Sequence, residues 1–175
     1  GNMLTGQFGV SFFSGDYVIN EVGERLTNTL ILMGVVEILS IAIGVMLGVI
    51  AAHKRGGVLD STSVVASLTT YSLPSFWMGM ILLLIFYYHL GWFPGAGTYP
   101  RDWANIYETT GGLPPRIILG NLLGTEISFP SLVEISGRIW HLFLPTLTLV
   151  LFTYGGYLLL TRATMLETLT EDYIV

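Results

Sequence analysis

The 175 residues are 52% hydrophobic and only 11% charged, with a mean hydropathy of +0.68, whereas a soluble domain carries about a quarter charged residues. A formal net charge of -5, with seven Lys and Arg that never cluster beyond Lys54-Arg55, argues against a nucleic-acid partner. Cysteine is absent, which excludes disulfides and thiolate chemistry.

The opening stretch, GNMLTGQFGVSFFSGDY, has no base and so offers no secretory n-region. The first apolar block, LTNTLILMGVVEILSIAIGVMLGVIAA at 26–52, holds a single charge, Glu37, and exceeds the roughly 20 residues that cross a bilayer core. HKRGGVLDS at 53–61 has the bases and paired glycines of a tight turn between antiparallel helices. A second span is predicted over 63–90, uncharged and ending near Tyr87, Tyr88, Trp92 and Phe93, an interfacial aromatic group. Pro74 lies inside it and predicts a kink at SLPSFW. Residues 92–139 read as an extramembrane loop, with RIILGNLL and FPSLVEI as short helices at the interface. A third span is predicted over 140–162, with Pro145 in its first turn. The expected fold class is an all-α polytopic membrane bundle with three spanning helices. Because Lys54 and Arg55 sit in a tiny loop, the density of bases predicts 53–61 and 163–175 on the cytoplasmic side, and 1–25 and 92–139 outside.

Glu37 stands well inside its span, where an ionised carboxylate facing lipid costs about 2.5–3.5 kcal/mol even on lenient insertion scales. It must therefore face protein or water. Two readings stand: a residue lining a solute or proton path, or a carboxyl bonded to a neighbouring helix. Gly44-x-x-x-Gly48 has the spacing that lets helices approach closely, either within one subunit or between two. His53, His89 and His141 lack the spacing of a zinc site, and neither a nucleophile elbow nor a phosphate-cradling loop is found. No catalytic residue, metal or cofactor is expected. In the last fifteen residues, TRATMLETLTEDYIV, Arg162, Leu166, Leu169 and Tyr173 fall on one helical face. Thr164, Glu167, Thr168, Glu171 and Asp172 take the other, an acidic face either solvated or opposed by bases from elsewhere.

Several blocks together carry a resemblance: ERLTNTL with IGVMLGVIAAHKRGGVLD, SLPSFWMGMILLLIF with LGWFPGAGT, and HLFLPTLTL before TRATMLETLTEDYIV. In order and spacing they resemble the permease subunits of ABC importers of the dipeptide, oligopeptide and nickel family. The resemblance covers essentially the whole chain. It implies an internal piece of a roughly six-helix permease, lacking the first helix and the last two, in the cell membrane. It further implies a path for peptides or a similar small solute, formed with a second permease subunit. Two cytoplasmic ATPase subunits and an external solute-binding protein are the implied partners. Glu37, Ser72, Pro74 and Ser75 are the candidate path residues. Glu167, Glu171, Asp172 and Tyr173 are the candidate region for coupling to the ATPase. A non-catalytic channel or a helical scaffold subunit is the alternative.

Overall fold

The computed structural model describes residues 8–122 and 125–169. Two helices dominate it: α1 (Val18–His53) and α5 (Leu132–Leu169). At 1.5 Å per residue their 36 and 38 residues extend about 54 and 57 Å, well beyond the roughly 30 Å of a bilayer's hydrocarbon core. Both are long and apolar enough to cross a membrane, with turns to spare at their ends.

The α1–α5 seam follows a fourfold rhythm on α1. Val36, Ser40, Gly44, Gly48 and Ala52 are all buried, one ridge of side chains spaced four apart on a single helix face. Ser40 and Thr153 share a hydroxyl hydrogen bond of 2.6 Å across the seam. Further along, a β-carbon placed on Gly44 would lie 2.5 Å from Tyr157 Cβ and 2.7 Å from the Tyr154 carbonyl. One on Gly48 would lie 2.7 Å from Thr161 Cβ. The glycine pair is therefore the close crossing of two helices of this one chain, which is how small residues at fourfold spacing act in membranes.

After a turn at 54–57, in which Gly56 takes φ +75°, α2 (Val58–Ser72) runs back along α5. Gly155 of α5 faces it so closely that a β-carbon there would meet the Ser67 carbonyl at 2.9 Å. The expected proline kink is a full corner: α2 ends at Ser72 and α3 (Ser75–Leu82) begins after Pro74, bent by 100°. The cause is local. Pro74 forces Leu73 out of the helical region to ψ 137°, as the residue before proline generally is. α3 then runs on as a π-helical segment, Leu83–His89.

The chain returns at Phe93, whose ring stacks on Phe143 with centroids 4.2 Å apart and touches Trp140 and Phe86. A short helix, α4 (Trp103–Ile106), and a 3-10 turn at Glu108–Thr110 follow. Trp103 is buried against the start of α5, where a β-carbon on Gly137 would lie 2.5 Å from its ring.

Residues 117–122 depart from expectation: they form strand β1 (Ile117–Leu122), not an interfacial helix, paired antiparallel with β2 (Thr125–Phe129). Pro114 and Pro115 stop any helix from entering this stretch, and the β-branched pair Ile117-Ile118 favours the extended backbone. FPSLVEI is likewise no separate helix, since α5 is continuous from Leu132. The predicted loop 92–139 therefore closes eight residues early, and Pro145 sits inside the helix instead of in its first turn. There it removes the hydrogen bond to the His141 carbonyl. The bundle remains a helical membrane architecture with one small hairpin.

Candidate functional site

Among the described residues, the sequence-predicted path candidates and the ion pairs lie at four places. At the corner, Ser72, Pro74 and Ser75 lie together. The Ser72 hydroxyl donates to the Thr69 carbonyl at 2.9 Å, while Ser75 lines a cavity of about 420 Å³ with Gly79, Gly97, His141, Pro145 and Thr148. The Trp77 and Met78 amides donate to the Pro74 carbonyl at 3.0 and 3.2 Å, which closes the first turn of α3. His141 turns its Nδ1 to the Gly137 carbonyl at 2.9 Å.

Glu37 lies elsewhere, on the α1–α5 seam. The Tyr157 hydroxyl donates to its carboxylate, and Glu37 is not among the residues lining the cavity at the corner. The neighbouring-helix reading of Glu37 thus has its partner, Tyr157. No periodicity in the first span pointed to that tyrosine, 120 residues away.

The third place is the end of the bundle near the 54–57 turn. Asp60, 4% exposed, accepts from Arg162 Nε at 2.5 Å and Nη2 at 2.9 Å, a bidentate pair. The Gly56 amide donates to the same carboxylate at 3.0 Å. The pair ties α2, the turn and α5 together. Arg162 was legible only as one residue of a helical face, because its partner lies 102 positions away.

The fourth is at the opposite end of α5. Glu134, 1% exposed, accepts from Arg138 Nε at 3.0 Å and from Arg116 Nε and Nη2 at 3.3 and 3.2 Å. Its own amide donates to Ser131 Oγ at 3.2 Å, so Ser131-x-x-Glu134 is half a capping box whose acid turns to arginines instead of back to the Ser131 amide. That motif was a sequence signal for where α5 begins. An acid in the first turn also complements the helix dipole. Glu134→Gln would leave two guanidiniums without their anion, at an expected cost of about 2 kcal/mol. Limited proteolysis of the full-length protein should then cut faster within 108–131; an unchanged rate would show that the cluster does not anchor this segment.

Of the candidate coupling residues, Glu167 lies within α5; Glu171, Asp172 and Tyr173 lie outside the described residues.

Long apolar helices crossing on glycines, with ion pairs gathered towards the two ends of the bundle, define a multi-pass helical membrane protein. Residues 44–175 match the family described as binding-protein-dependent transport system inner membrane component. The chain belongs to that family. It is similar to the oligopeptide transport system permease protein AppB of Bacillus subtilis, 33% identical over 99% of this chain and 46% of that protein. The di/tripeptide transport system permease protein DppB of Pseudomonas aeruginosa is 34% identical over 99% of this chain and 49% of its own length. The dipeptide transport system permease protein DppB of Escherichia coli K12 is 32% identical over 98% and 49%. The chain thus spans about half the length of these relatives.

Proposed function

We propose that the chain forms part of the membrane-spanning subunit of an ATP-driven importer that carries peptides, or a solute of similar chemistry, across the cell membrane. The observation that carries this reading is the end-to-end similarity to permeases named for oligopeptide, di/tripeptide and dipeptide transport. A channel or inert scaffold has no comparable support. A second permease subunit completes the path, two cytoplasmic ATPase subunits drive it, and an external solute-binding protein delivers the cargo.

In this reading the spans are 26–52, 63–90 and 140–162, the middle one broken at Pro74. Residues 1–25 and 92–139 face outside, and 53–61 with 163–175 face the cytoplasm. Support comes from Lys54 and Arg55 in the shortest loop. Ser72, Pro74 and Ser75 line the path, because non-helical backbone at membrane depth is tolerated only where it is buried in protein or borders a water-filled cavity. Glu37 is a separate candidate for the path, bonded to Tyr157 on the α1–α5 seam apart from that corner. Glu167, Glu171, Asp172 and Tyr173 lead into the ATPase contact.

The test is uptake of a labelled dipeptide by proteoliposomes holding the full-length protein and its partner subunits. Uptake should require both ATP and the binding protein, and Glu37→Gln should reduce it several-fold without changing the amount of assembled complex. Absence of ATP-driven uptake of any small peptide would sink the reading; normal uptake by Glu37→Gln would remove Glu37 from the path.

A further inference from the structure

The largest cavity described in the molecule, about 630 Å³, opens between the N-terminal part of α1, the start of α5 and the loop that precedes β1. That size falls within the roughly 300–1,000 Å³ usual for small-molecule sites. Its charged lining is divided between walls. Glu24 stands on the α1 side with Thr27 and Asn28, and among the described residues it makes no ion pair. Arg116 and Arg138 stand on the other side, sharing the single buried carboxylate of Glu134.

One carboxylate neutralises one of the two guanidiniums, so that wall keeps about one positive charge. The guanidiniums are also accessible: the Arg116 and Arg138 side chains are 45% and 27% exposed, against 1% for Glu134. Glu134, which lines the same cavity, holds Arg138 through Nε and Arg116 through Nε and Nη2, so the remaining guanidinium N–H groups are left for a ligand. The cavity is thus neutral in sum and bipolar in arrangement, one anion facing one uncompensated cation. Tyr99, Leu113 and Ile135 supply apolar wall between the poles.

We propose that this cavity is a binding station for a zwitterionic solute of dipeptide size, with Arg138 and Arg116 receiving its carboxylate and Glu24 its ammonium group. The inference rests on the importer reading and adds to it a place and a polarity: the solute lies with its carboxyl end towards α5 and its amino end towards α1. A side chain of the solute meets the apolar wall, which sets no demand beyond size.

The test uses the full-length protein assembled with its partner subunits in lipid nanodiscs, without the binding protein or ATP, so that any discrimination belongs to the membrane subunits. The probe is a dipeptide carrying a photoactivatable diazirine side chain, in free, C-amidated and N-acetylated forms, with labelled positions mapped by mass spectrometry. Labelling is expected within 23–31 and 130–138, falling about tenfold on amidation and similarly on acetylation, the scale of one lost charge-assisted hydrogen bond. Arg138→Gln should abolish the penalty for amidation and leave that for acetylation, Glu24→Gln the reverse, and Arg138→Lys should keep the wild-type pattern. Equal labelling by free and capped probes, or labelling that maps elsewhere, overturns the proposal, as does a penalty that persists in both glutamine variants. Uptake by the same complex, with binding protein and ATP restored, is scored separately. Loss of uptake in the wild type speaks against the importer, whereas normal uptake with cap-insensitive labelling removes this station alone.

Discussion

Gly44→Ala and Gly48→Ala are each expected to destabilise the full-length protein by about 2 kcal/mol, the usual range for forcing an extra carbon into a packed core. Gly34→Ala should be neutral or slightly stabilising. All three glycines lie on α1 and gain the same helix propensity on substitution, up to about 1 kcal/mol on scales measured in water. The neighbours decide the sign. A β-carbon at Gly34 meets nothing within 4 Å, whereas at Gly44 and Gly48 it falls 2.5 and 2.7 Å from side-chain β-carbons of α5, with backbone carbonyls at 2.7 and 2.8 Å. A rotamer change relieves neither a β-carbon nor a carbonyl, so the helices must move apart. That separation would also stretch the Ser40–Thr153 hydrogen bond. Thermal unfolding in detergent, followed for the three variants side by side, checks the contrast. Equal melting temperatures for all three would show that the α1–α5 crossing is not the tight contact described.

The second large effect is expected at Asp60 and Arg162. Arg162→Met removes the bidentate partner of a carboxylate whose side chain is only 6% exposed, leaving it the Gly56 amide. Breaking a buried pair from one side costs about 3–5 kcal/mol. Arg162 is itself 28% exposed, so the lower end is expected here. Asp60→Asn combined with Arg162→Met should recover much of the loss, because it leaves no bare charge behind. Arg162→Lys should fall between, keeping the charge and losing the planar fork. A double-mutant cycle on unfolding, with uptake measured alongside, reads the coupling directly. Additive losses would mean that the two residues do not act as a pair. Because the pair joins the 54–57 turn and α2 to the last turns of α5, its loss should also loosen the segment leading towards 170–175.

Much of the helical framework was legible because the bilayer imposes a local, compositional rule. A stretch such as 26–52 must satisfy its backbone within itself and present apolar side chains, whatever the rest of the chain does. The same membrane setting pointed to the glycine pair as a close helix crossing and required Glu37 to face protein or water. The ends of the helices were less legible, since hydropathy marks the apolar part of a helix and not the polar turns that extend it. Val18–Arg25 and Leu132–Ile139 are helical without belonging to a hydrophobic block.

The tertiary structure alone decided which faces meet. Nothing near Arg162 names Asp60, and nothing near Glu37 names Tyr157, because such pairs depend on how two helices rotate and slide against each other. The proline at 74 announced a break, but the angle of 100° reflects how α2 and α3 each pack on α5. Likewise Ser131-x-x-Glu134 carries a local helix-start signal that the expected span over 140–162 did not use, and the bond from Arg116 to Glu134 required the segment before the hairpin to be brought beside α5. The sequence by itself determined that this protein lives in a membrane as long helices, because burial in lipid is a property of each segment alone. Its charged clusters, and the bipolar cavity they border, exist only once segments far apart in the chain are packed together.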